Sequence, residues 1–342
     1  MNENNSNYKY IQFHSNIEED SSAEYWIDNT ICVFKSINEI ISLIYTDSNN
    51  SIISYNLINN QKINEIKKAH KERITNFRHY LDKNENRDLI LTISAVDKNI
   101  KIWNNNNWNC LFNVEDIYNK CVYSACFLNE KNKIYIITSS SSWSSNNEPI
   151  KVYDFNGNII KKINDSNDRI FFFDSFYDKK NTNIYILVGC SKYVKSYDFI
   201  KNKLYNNYHD ISNKDKDNNN DHYSIIIKQE KEITKLIESS CDGNIRIWNF
   251  HSGILLKKIN IGLEKEWLKS ICLCEKINYL FVGSVDSKMI IIDLEKEKVI
   301  EKYLLDEMIL TIKKIIHPKY GECLISQGKY TIKIWKIKNN KD

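Results

Sequence analysis

VDKNIKIWN (Val96–Asn104) and CDGNIRIWN (Cys241–Asn249) decide the fold. In each, an Asp stands six residues before a Trp that closes a short run with alternating Ile. A polar turn followed by such an alternation reads as a turn leading into a strand with one buried face. The closing position recurs at Tyr55, Trp103, Tyr153, Tyr197, Trp248, Ile292 and Trp335, with 43 to 51 residues between neighbours. The residue after each anchor is Asn56, Asn104, Asp154, Asp198, Asn249, Asp293 or Lys336. Self-similarity at a period in the forties, with four short strands per unit, is the propeller arrangement. No stretch sustains apolar residues at i, i+3, i+4 and i+7 over several turns, so the frame is β.

The expected fold is therefore all-β: a seven-bladed propeller of four-stranded blades, occupying residues 1–342 as one domain. With strands lettered a to d, the second repeat predicts a over 74–80, b over 89–95, c over 99–103 and d over 108–113. Trp108 then opens strand d. After Trp335 only KIKNNKD remains, too short for a fourth strand. YKYIQFH (Tyr8–His14) reads as a strand ahead of the first full repeat and is expected to complete the last blade, closing the ring. Ala23–Asp28 is the alternative candidate. Residues 205–222 (YNNYHDISNKDKDNNNDH) hold almost no apolar side chains and predict a mobile loop. NIIKKIN (Asn158–Asn164) and ILLKKIN (Ile254–Asn260) place Lys pairs on outermost strands, where they guard an open edge.

The chain has 342 residues, 42% of them hydrophobic, with 8 Gly and 2 Pro for many turns. Asn, which tolerates left-handed backbone, is expected at turn positions where Gly would otherwise sit. A net charge of +4 and only scattered Arg argue against a nucleic-acid partner. Nine Cys without a CxxC pair predict free thiols in a reducing compartment. MNENNSNYKY lacks a signal peptide's apolar core, and no apolar run reaches spanning length, so no membrane insertion is expected. The expected location is cytoplasmic or nuclear.

The words around Trp103 and Trp248 resemble the WD-repeat family of seven-bladed propellers, over nearly the whole chain. In that family a turn Asp, a His before strand a, a Ser/Thr of strand b and the strand-c Trp form a hydrogen-bonded structural set. The resemblance implies structural roles for Asp97, Trp103 and His70, and for Asp242, Trp248 and His222. Ser94 and Ser239 lie one residue out of register for the strand-b position. Asp286 repeats the Asp spacing before Ile292, Asn49 takes the corresponding place before Tyr55, and Trp335 is the last anchor. The Gly-His word that precedes typical repeats is absent. The Asp is expected to accept N–H groups of the b–c turn and to orient the imidazole. An Asp–His pair that recurs with the repeat is structural rather than part of a catalytic triad.

No GxSxG, HExxH, GxxxxGK[ST] or metal-spaced Cys/His cluster occurs, so no catalytic residue, metal or cofactor is expected. Cys272 and Cys274 share one side of a strand, and packing accounts for them. An FRRG-like word for phosphoinositides is absent, as is a W-D-x-R word for cullin ligases. The expected function is a non-catalytic scaffold that binds protein or peptide partners, as a monomeric propeller within a larger complex. The alternative is a reader of peptides or modified residues at the channel mouth, and a propeller enzyme stands third. Trp26, Arg73, Trp143, Arg169 and Trp267 fall at b–c or d–a loops, which line one rim by the resemblance, and form the expected partner-binding face.

Overall fold

Strand b of the second blade (Arg87–Ser94, RDLILTIS) is buried over nearly its whole length, whereas its strand d (Cys110–Val114) alternates between covered and exposed positions. This gradient from wet edge to dry interior repeats around the molecule. The computed structural model describes residues 8–13, 31–47, 49–59, 61–115, 118, 121–140, 148–164, 170–210, 221–261, 266–328 and 331–337. Their regular elements form seven four-stranded antiparallel sheets. Strands a of all seven neighbouring pairs touch, the seventh against the first included, so the sheets form a closed ring with strands a innermost. The protein is a seven-bladed β-propeller. Among the described residues no helix is long and apolar enough to cross a membrane.

Closure follows the expected route. Tyr8–Phe13 runs antiparallel to Ile332–Ile337, with Tyr10 opposite Trp335, and supplies the outermost strand of the seventh blade. Ala23–Asp28 lies outside the described residues.

The residue after each anchor has a local task. The side-chain oxygens of Asn56, Asn104, Asp154, Asp198, Asn249 and Asp293 accept backbone N–H groups two or three residues on, at 2.8–3.0 Å. Each bond ties off the c–d turn and stands in for a backbone turn bond. Lys336 is the exception because its blade has no c–d turn. Its strand pairs with the chain's first strand instead, Lys336 opposite Lys9.

Among the described residues, Asn also takes five of the thirteen non-Gly positions with positive φ (Asn50, Asn86, Asn132, Asn202 and Asn278), and Lys takes three. Trp108 is another, at φ 58°, and sits in the c–d turn rather than opening strand d, which begins at Cys110. The segment read as a loop over 205–222 is shorter at both ends. Lys203–Tyr208 is strand d of the fourth blade, and His222 opens strand a of the fifth. Its sparse apolar pattern concealed Tyr208, which is buried against Trp248 and Phe250. Residues 211–220 lie outside the described ones.

Lysines do more than guard edges. Lys161 donates to the Phe199 carbonyl of the next blade, Lys302 to the Ile261 carbonyl, and Lys257 pairs with Glu297 at 2.7 Å. Lys180 reaches the carbonyls of Glu230 and Lys231 at 2.6 and 2.7 Å. The long aliphatic stems span the clefts between blades while each ammonium finds an oxygen on the neighbour. All nine cysteines are free thiols, and Cys272 and Cys274 pack in one cluster with Phe281, Met289 and Trp335.

Candidate functional site

The polar sets around the anchors fix the rim that carries the b–c and d–a loops. In the second blade the Trp103 Nε1–H donates to Thr92 Oγ1 at 2.9 Å, and His70 Nε2 lies 2.8 Å from the same hydroxyl. The Asp97 carboxylate, 3.7 Å from His70 Nδ1, favours the ring proton on that nitrogen, and Nε2 then accepts from the Thr92 hydroxyl. Asp97 accepts the backbone N–H groups of Lys71 and Glu72 at 3.1 and 3.4 Å. It therefore anchors the d–a loop rather than the b–c turn. Burial pulls the Asp97 pKa upward, but His70, Ser94 and the Glu72 amide outweigh it and hold the carboxyl below its usual range. Burial lowers the pKa of His70 against the opposing pull of Asp97, so the imidazole is neutral at pH 7.

The strand-b member is thus Thr92, not Ser94, and in the fifth blade it is Glu238, not Ser239. The separation from strand-b residue to Trp is 11 for Thr92 and Trp103, 10 for Glu238 and Trp248, and 9 for Ser326 and Trp335. The b–c turn changes length from blade to blade, and counting from one repeat misplaces the next.

With a carboxylate at that position the fifth blade is wired differently. His222 Nδ1 bonds Glu238, not Asp242, and Trp248 Nε1–H donates to Glu238 Oε1 at 3.3 Å. Arg246, 1% exposed, pairs with Asp242 and with Asp210 at 2.9 Å, and lies 3.8 Å from Glu238. Burial raises and Arg246 lowers the Asp242 pKa, with the balance far below the ordinary carboxylate range.

Two other blades depart from the expected set. Asp286 is exposed, and its backbone N–H donates to Ser284 Oγ at 3.0 Å. The buried carboxylate just before strand a of that blade is Glu266, which pairs with Lys288 at 2.9 Å and accepts from Ser284 at 3.2 Å. In the first blade Asp47, rather than Asn49, closes the b–c turn by accepting the N–H groups of Asn49 and Ser51 at 3.0 and 2.8 Å.

Of the five residues expected to face a partner, Trp26, Trp143 and Arg169 lie outside the described residues. Arg73 is exposed and Trp267 half-buried, each just before a strand a on the same rim. Sequence reading missed a feature of that rim: strands a of blades two to six each carry a register shift one residue into the strand. Such bulges re-aim side chains. At three of them Phe171, Tyr223 and Lys269 stack in sequence. Phe171 meets Tyr223 edge-on at 5.3 Å, and the Lys269 ammonium lies 3.6 Å from the Tyr223 ring centre. Tyr223 and Lys269 are buried, and Phe171 half-buried.

Large apolar side chains are exposed on the c–d turns or outer strands of blades one, three, four, five and six. Ile200 and Ile254 stand at the c–d turns of blades four and five, and Leu204 and Leu256 on the outer strands beside them, between 44% and 62% exposed. Blades four and five are knit together. Asn206 Nδ2 donates to the carbonyls of Phe250 and His251 at 2.7 and 2.9 Å, and Tyr208 donates to the Phe250 carbonyl at 2.7 Å. Tyr205 faces blade five, its hydroxyl 3.0 Å from His251 Nδ1, while Leu204 lines a cleft with Lys162, Ile163 and Asn164 of blade three. Among the described residues no group of three or more His, Cys, Asp or Glu is placed to hold a metal ion.

In comparisons with known proteins, no family model matches the chain, and none of the curated proteins matches it.

Proposed function

We propose that the chain is a degenerate WD-repeat propeller acting as a non-catalytic platform, one that docks a protein partner within a larger assembly in the cytoplasm or nucleus. The observation that carries this reading is the apolar exposure of the outer wall, which includes Ile200, Leu204, Ile254 and Leu256 on two blades joined to each other by hydrogen bonds. Exposed apolar groups on a rigid frame bury area on docking at little cost in ordering. At the channel mouth the Tyr223 ring face is already occupied by Lys269, which favours a scaffold over a reader of cationic side chains there.

The test is affinity capture from the source cell with the full chain and three variants. Leu204→Glu with Leu256→Glu addresses the outer wall; Arg73→Ala and Trp267→Ala address the rim expected from the sequence. Loss of the same partner proteins by the double Glu variant alone supports the outer wall. Loss with Arg73→Ala or Trp267→Ala alone moves the docking face to the rim. Identical partners for every variant, all melting as the parent does, overturn both placements.

A further inference from the structure

Pairing register puts one residue from each blade at the same height in the central channel. Ile44, Leu91, Ile137, Leu187, Ile237, Phe281 and Ile325 of strands b, each opposite the residue before a strand-c anchor, face Cys32, Arg78, Cys126, Asp174, Ile226, Cys272 and Lys313 of strands a. Strands a are innermost, so these seven form a ring around the axis. The ring holds two cations and one carboxylate. Arg78 and Lys313 flank the first blade, on the strands either side of Cys32.

The two cations are poorly served by the protein. Arg78 makes one hydrogen bond, from Nη1 to the Phe77 carbonyl at 3.4 Å, and neither cation joins an ion pair among the described residues. Asp174, the ring's carboxylate, accepts its neighbour's N–H from Ser175 at 2.8 Å. Lys314, next to Lys313, is instead matched by Glu322 at 3.4 Å. Lys313 is well exposed to the channel interior. Enclosure and then the positive charge of Arg78 lower the Lys313 pKa. The nearby thiols do not compensate. Burial pushes Cys32 and Cys272 up to about 11, and Cys126 higher, so all three are neutral at pH 7.

We propose that Arg78 and Lys313 form an oxyanion site inside the central channel, taking a tetrahedral phosphate-type anion. A guanidinium offers a planar fork for two oxygens, and an ammonium adds a point charge beside it. Arg78 is close enough to act on the charge of Lys313, so the fields of the two cations add within the channel. The anion is either free phosphate or a phosphoryl group carried on a partner's side chain. The site stands independently of the docking face proposed above.

The test is calorimetric titration of the full chain with inorganic phosphate and, separately, with a short phosphoserine peptide, at constant ionic strength against a chloride control. The parent should bind at least one of the two, and whichever binds more tightly identifies the source. Arg78→Gln and Lys313→Gln should each weaken binding by about tenfold or more, as expected for losing one charge-assisted hydrogen bond. Lys313→Arg should retain binding, and Asp174→Asn should tighten it by removing the ring's negative charge. Ligand-free melting of the Gln variants should hold or rise, since like charges have been separated. A parent that gives no heat beyond the chloride control with either probe overturns the site. So do Gln variants that bind as the parent does, or that melt well below it without ligand.

Discussion

Blades two and five carry nearly the same word, DKNIKIWN and DGNIRIWN, yet their polar groups are connected differently. In the second blade a neutral hydroxyl, Thr92, joins a neutral imidazole to Trp103, and Asp97 is left to hold the d–a loop. In the fifth, Glu238 takes the hydroxyl's place, draws His222 to itself, and brings Arg246 into a buried cluster with Asp242 and Asp210. Lys101, the register equivalent of Arg246, instead reaches the Ala69 carbonyl at 2.7 Å. One substitution on strand b, far from the recognisable word, therefore decides whether a blade is held by neutral hydrogen bonds or by ions. The word alone does not reveal which.

The sharpest way to break this comparison is to remove the cation. Arg246→Ala leaves the buried Glu238 and Asp242 without their cation, while Asp210 keeps Lys258 at 2.9 Å, and should cost about 3–5 kcal/mol, the usual penalty for orphaning a buried charge. Lys101→Ala should cost about 1 kcal/mol, because it removes one hydrogen bond to a carbonyl. Denaturant titration of both variants reads the difference. Equal losses would mean the two clusters are energetically alike despite their wiring. The shared part should behave alike: Trp103→Ala and Trp248→Ala, 6% and 2% exposed, should each cost about 3–5 kcal/mol through the cavity they leave.

A smaller effect tests the hydroxyl. Thr92→Val keeps the shape but leaves the Trp103 and His70 nitrogens without their partner, for about 1–3 kcal/mol. Ser326→Ala in the seventh blade removes one acceptor, that of Trp335 at 2.8 Å, and should cost less. If Thr92→Val melts like the parent, the hydroxyl is not what connects His70 to Trp103.

These residues also show where sequence reading stopped. The ring was legible because each anchor and the Asn or Asp after it act locally: a strand closes, and a side-chain oxygen ties off the next turn. N-terminal closure was legible because the last blade ran out of chain. Thr92, Glu238 and Ser326 were not, because their distance to the Trp shrinks as the b–c turn shortens. Fixing them needs the pairing register, as does recognising that Arg78 and Lys313 share a level of the channel. Asp210 could not be joined to Arg246 from sequence, since the contact crosses between blades over 36 residues. The apolar outer wall was missed for a plainer reason. ILLKKIN was read for its lysines, while the exposed side chains are Ile254 and Leu256.

The smallest expected effect is a pH dependence that separates the neutral blade from the ionic one. His70 is buried, and burial lowers its pKa in the folded state despite Asp97, so the unfolded chain binds this proton more readily. Its contribution is fully present above the unfolded His value of about 6.5 and is lost as pH falls toward the depressed folded value. The Asp97 pKa is lowered as well, so its contribution holds above about 4, the unfolded Asp value, and is lost only in stronger acid. Melting temperature should therefore begin to fall as pH drops below about 6.5, before any carboxylate titrates. His70→Asn cannot take up that proton, and its melting curve should be flatter between about pH 6.5 and 5 than the parent's, whatever its absolute stability. Parallel curves for the two proteins across that window would show that His70 is not held neutral between Thr92 and Asp97.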